Sequence, residues 1–268
     1  MKIRTLAWST FGSFFHNALI VVLLIVCVGV VLLMLTPLLG MKAMTTAQNA
    51  SQVQVAVLGF VAAIMGFVSG FGSLLAAWAA ADSLSSEMTS GTILAVMARP
   101  VKRWEFLLGK FLGVMLLMAA YVAMMFGLSW LLAWIGGERI RTAQWVLLAY
   151  PMVRYAIWAA VAMALATLLR PIIAMGIVAL LALGATITAS TNLDEHSVVV
   201  RYLLHGIYLV LPSTNLLSET RFLEITKASL KPTGWMEHGC TVAYGLDYAI
   251  VFLLVAMWSF HYRSLKRD

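Results

Sequence analysis

Two ionisable residues fall inside long apolar stretches of this chain, Arg154 and Asp247. A charge at bilayer depth is costly, and such groups are usually paired or functional. A guanidinium and a carboxylate could neutralise each other between two helices, or they could hold a polar group of a transported substrate. The remaining reactive groups are dispersed. His16, His196, His205, His238 and His261 show no metal-ligand spacing, and Cys27 and Cys240 fall at different depths, so neither a metal site nor a disulfide is expected. Gly109-Lys110 lacks the upstream glycine of a phosphate-binding loop, and Phe111 stands where a hydroxyl would hold magnesium. No H-E-x-x-H or G-x-S-x-G pattern occurs. The chain is expected to catalyse nothing and to bind no cofactor itself.

A third feature is the polar stretch from Glu87 to Lys110, EMTSGTILAVMARPVKRWEFLLGK, set between apolar runs. Asp82, Ser83 and Ser85 could cap a helix, and Glu87 would favour its positive end. Leu84, Met88, Ile93, Leu94 and Met97 give that helix a partly apolar face, and Pro100 ends it. The spacing predicts a short helix over 83–99 lying across the mouth of two membrane spans.

The elements that position these groups follow from composition. The chain has 268 residues, 62% of them hydrophobic and 11% charged. A soluble domain carries about 25% charged residues. There is too little polar surface here to cover a globule in water, so an all-α polytopic membrane protein with about six spans is expected. The spans are placed at about 18–39, 53–81, 106–134, 146–169, 172–190 and 242–261, all within one domain covering 1–268. Residues 3–15 put Ile3, Leu6, Ala7, Phe11, Phe14 and Phe15 on one face and Thr5, Ser9, Thr10 and Ser13 on the other, which suits an interfacial helix. The segment 191–241 is an outer loop with an apolar run too short to span, expected to be re-entrant or interfacial.

The net charge is +7. In a membrane protein that charge sets orientation, and no nucleic-acid partner is expected. Lys2, Arg4, Arg99, Lys102, Arg103, Lys110, Arg170, Arg263, Lys266 and Arg267 gather on one side, so both termini and the 83–99 helix are read as cytoplasmic.

The pattern E-x-x-x-G-T-I, a proline, P-x-x-R and G-K opening the next span (Glu87, Gly91, Thr92, Ile93, Pro100, Arg103, Gly109, Lys110) resembles ABC-2 type transporter permeases. Tyr208 to Pro212, Y-x-x-x-P, is similar to a segment of the NosY and GldF subgroup. The resemblance implies the membrane subunit of an ABC exporter in the bacterial inner membrane, with an N-terminal elbow helix and a cytoplasmic coupling helix. It implies a separate ATP-binding subunit, which holds ATP and magnesium and contacts Glu87, Thr89, Gly91, Thr92, Ile93, Leu94 and Arg103. It implies a homodimer, or a heterodimer with a related permease, embedded in membrane lipid. The second and fifth spans then flank the path, with Gly66, Gly70, Ala174, Met175, Gly176 and Gly184 as candidate lining. The alternatives are a scaffold or maturation factor of an ABC-like complex, an ATP-independent channel or secondary transporter, and an intramembrane enzyme. The last would need paired catalytic residues, and only Arg154 and Asp247 are available.

Overall fold

The computed structural model describes residues 2–43, 50–89, 102–135, 148–190, 217 and 235–262, and these are helical apart from short joints and Leu217. Seven helices are present among them: α1 (Lys2–His16), α2 (Ala18–Ala43), α3 (Ala50–Thr89), α4 (Arg103–Ile135), α5 (Ala149–Leu168), α6 (Pro171–Ser190) and α7 (Trp235–Tyr262). Four segments of the described residues are long and apolar enough to cross a bilayer: Gly66–Glu87, Arg103–Met125, Ala149–Leu168 and His238–Tyr262. Ile3–His16 and Ile20–Leu33, bent by 69° between them, make a fifth candidate taken together, and Ile172–Ala182 is a shorter apolar helix.

α5 is the centre of the bundle. It packs most extensively on α7 and α3, and Ala156, Ala159, Ala160, Ala162, Ala164 and Ala166 are buried along it. Lipid tails are as apolar as leucine, so small residues that bring backbones close hold such helices together better than bulk does. Tyr150 is hydrogen-bonded to His238 near the start of both α5 and α7. Thr167 Oγ1 donates to Ser259 Oγ (3.0 Å) near the end of both. The two helices therefore run parallel, and the chain between them must travel back; α6 is the apolar helix in that interval.

The other contacts fix the remaining directions. Asn17 meets Asp82 and Cys27 meets Tyr121, so α2 leaves the end of the bundle where α3 finishes. α4 runs antiparallel to α3, with Lys110 beside Glu87 and Tyr121 Oη donating to the Val68 carbonyl (2.8 Å). α5 runs with α3, since Arg154 meets Ser69 at α5's beginning.

Three expectations need correction. First, no separate helix begins at Ser83: α3 continues unbroken to Thr89. No glycine or proline interrupts the stretch from Asp82 to Thr89. The expected caps are engaged otherwise, because Ser83 Oγ donates back to the Ala80 carbonyl (3.0 Å) and the Asp82 carboxylate accepts from Asn17 (2.9 Å). Second, α4 begins at Arg103, where the Lys102 backbone N–H donates to Glu105 Oε2 (3.0 Å), half of a capping box. Third, the buried face of α1 includes Thr10 and omits Phe15. α1 lies against α4 at two glycines. A Cβ on Gly109 would fall 2.7 Å from Leu6 Cβ, and one on Gly113 would fall 2.6 Å from Thr10 Cβ. This G-x-x-x-G step admits the Leu6–Thr10 side of α1 and turns Trp8 and Phe15 outward.

Candidate functional site: a charged clamp where α3 gives way to α4

Lys110 is 6% exposed at its side chain and pairs with Glu87, which is 27% exposed. Its ammonium also stands 5.8 Å from the centroid of the Phe106 ring. An ion pair this buried costs desolvation, and its worth lies in fixing one geometry. Here it fixes the last turn of α3 against the second turn of α4. Arg103 adds a second tie. Its Nη1 donates to the carbonyls of Phe260 (3.2 Å) and His261 (2.8 Å). Those carbonyls are among the last of α7, where the helix leaves acceptors unsatisfied and a cation is favoured. Phe106 and Phe260 stack beneath it with centroids 6.0 Å apart. The third tie is Asn17, whose carbonyl accepts from the Val21 N–H at the head of α2 while its amide reaches Asp82. The two ends of the α3–α4 connection are thus held to α1–α2, to each other and to α7.

Of the residues expected to meet a partner, Glu87 and Arg103 are in this clamp and Thr89 closes α3. Gly91, Thr92, Ile93 and Leu94 lie outside the described residues, as do Pro100 and Tyr208–Pro212. Glu87 is engaged inside the chain rather than held out as a free carboxylate. The role of Lys110 went unread as an internal one. The signal for it was present: two opposite charges at the two borders of apolar spans, where a lone charge is costly.

Arg154 and Asp247 are not brought together. Arg154 Nη1 donates to Ser69 Oγ (2.8 Å), and Asp247 is exposed. The reason is rotation. Gly245 faces Val153 of α5 closely enough that a Cβ would collide with it, and Asp247, two residues on, points about 200° away. Among the candidate path residues, Gly66, Gly70 and Gly176 are exposed with nothing within 4 Å of where a Cβ would stand. Ala174 is buried and Met175 part-buried, while Gly184 belongs to the second half of α6.

Residues 5–265 match the family described as ABC-2 family transporter protein. The chain belongs to that family. The match runs from α1 through α7, so the clamp, the glycine-lined surface and the Arg154 contact all lie within it. An ABC-2 permease is an integral membrane component of a transporter and is not itself catalytic, and membership implies an ABC ATP-binding subunit as partner. No curated protein matches the chain.

Proposed function

We propose that this ABC-2 permease exports its substrate across a bacterial inner membrane. In this reading a separate ATP-binding subunit, carrying ATP and magnesium, docks on the 83–99 segment through Thr89, Gly91, Thr92, Ile93 and Leu94. Two copies, or one copy with a related permease of the NosY/GldF type, complete the path. The observation that carries the reading is the clamp, which anchors both ends of the putting-together point between α3 and α4 to three other helices. A push on a loop so anchored moves α3, α4 and α7 as a body rather than bending one helix, which is what a two-state rigid-body transition requires. The alternating directions of α2, α3, α4, α5 and α7, with α6 in the one interval that must return, support six crossings with both termini on the clamp side.

The internal pairing of Glu87 revises how docking is tested. Reversing that charge would disturb Lys110 as well as any partner, so the cleaner variant is Gly91→Trp, which adds bulk on the proposed contact and alters no span. It should insert normally yet lose co-purification with the ATP-binding subunit, because an indole on the contact leaves the partner's backbone no close approach. Full assembly and full coupled ATPase activity in Gly91→Trp would remove the docking role from this segment.

A further inference from the structure

We propose that Arg154 and Ser69 form a receptor for a phosphate group at the end of the bundle away from the clamp. The inference rests on the permease reading, because it assigns a ligand class to one of the residues placed in the membrane. Arg154 carries a planar guanidinium with five N–H donors and no acceptor. Among the described residues only Nη1 has a hydrogen-bond partner, Ser69 Oγ at 2.8 Å, and Nε is buried with none. No carboxylate of the described residues forms an ion pair with it. Tyr121 and Tyr155, on α4 and α5, both donate to the carbonyl of Val68, the residue before Ser69, at 2.8 and 3.5 Å. The edge of the guanidinium that carries Nε is therefore unmatched among the described residues, and such an edge matches two phosphate oxygens at once when it is turned to meet them.

The surroundings leave room for such a group. Arg154 is only part-buried, so its head can be reached, and a change in its own side-chain torsions would turn Nε toward an arriving oxygen. Ser69 is flanked on α3 by Gly66 and Gly70, both exposed and both with empty space where a Cβ would be. No side chain on those two positions guards the approach. Ser69 lies 18 residues before Glu87, about 27 Å along the helix. That is close to the roughly 30 Å of a bilayer's hydrocarbon core. The receptor therefore stands toward the leaflet opposite the clamp, where a phospholipid, a lipid-like cargo or free phosphate could each supply the group.

The test uses the full chain in detergent, melted with phosphatidylglycerol, with a diacylglycerol of the same acyl chains, or with inorganic phosphate at matched ionic strength. Phosphatidylglycerol should stabilise the wild type more than diacylglycerol does. Arg154→Gln should bind it about tenfold more weakly or worse, the loss of a charge-assisted hydrogen bond, and Arg154→Lys should fall between. Inorganic phosphate that reproduces the stabilisation assigns the site to a free anion; stabilisation by phosphatidylglycerol alone assigns it to a lipid headgroup. Equal responses of wild type and Arg154→Gln to both probes overturn the proposal. Should Arg154→Gln fail to fold, Arg154→Lys and Ser69→Ala carry the comparison, and equal responses of both to the wild type overturn it likewise. Co-purification of the same variants with the ATP-binding subunit is measured in parallel. Its retention separates a failed phosphate site from a failed permease assignment.

Discussion

At the scale of the residue, the smallest side chains decide where helices meet. Gly109 and Gly113 let α1 lie against α4, and Thr10 is buried there with no hydrogen-bond partner for its hydroxyl among the described residues. A hydroxyl left without a partner is a cost the close packing must offset. Gly113→Leu should push α1 off this surface and destabilise the protein by about 1–3 kcal/mol, the usual scale of overpacking. The check is a lower melting temperature together with faster proteolysis near Phe15, and a variant that melts like the wild type would show that α1 does not depend on this seat. By contrast, Thr10→Val should be neutral or mildly stabilising, because it removes the unpartnered oxygen and keeps the shape. The chain announces such positions only in part. Residues 3–15 are helical, and Ala7 and Phe14 of the expected apolar face are buried. The place of Thr10 depended on glycines a hundred residues away, which no local periodicity reports.

At the scale of the element, the clamp makes α3 and α4 one lever. Glu87→Gln would leave the buried Lys110 without its ion-pair partner, with only the more distant Asp82 carboxylate in its field, and removing one partner of a buried pair costs up to about 3–5 kcal/mol. Lys110→Met alone would remove the ion pair from the other side, at a smaller cost because Glu87 is more exposed. The double change Glu87→Leu with Lys110→Met removes both charges and should restore most of the loss, since a buried pair and an apolar pair of similar volume are close in stability. Melting curves of the four proteins measure this cycle, and additive losses would mean that the two residues do not act as a pair. The helix boundary here was hard to read in advance for a physical reason. Asp and Ser cap helices well, but they also sit inside them once their side chains find other partners, as Asp82 does with Asn17 and Ser83 does with Ala80. The choice between the two readings of Arg154 and Asp247 was not legible for a similar reason. Depth along a span can be counted from sequence, whereas rotation about the helix axis is set by neighbours such as Gly245 against Val153.

At the scale of the whole molecule, composition alone decided the class, because a chain that is 62% hydrophobic has nowhere but lipid to put its surface. The central place of α5 was not legible. Every span is predominantly apolar on all sides, so hydropathy cannot say which of them is wrapped by the others. The grouping of basic residues fared differently, because charge is the one feature that varies from end to end. Arg103 meets the end of α7, and Arg170 follows the end of α5, where Thr167 meets Ser259. Lys102, Arg103 and Arg170 thus share the clamp end of the bundle, the side that the positive-inside bias would hold in the cytoplasm. Cys240 provides a test that needs no engineered residue. It is exposed near the start of α7, at the opposite end, whereas Cys27 is buried and hydrogen-bonded to Tyr121 (3.3 Å). These are the two cysteines of the chain. In intact cells an impermeant maleimide should therefore label the protein once, at Cys240, and Cys240→Ser should abolish the signal while Cys27→Ser leaves it unchanged. Labelling of Cys240 only after the membrane is permeabilised would invert the orientation, place the clamp outside and leave the ATP-binding subunit no access to the α3–α4 connection.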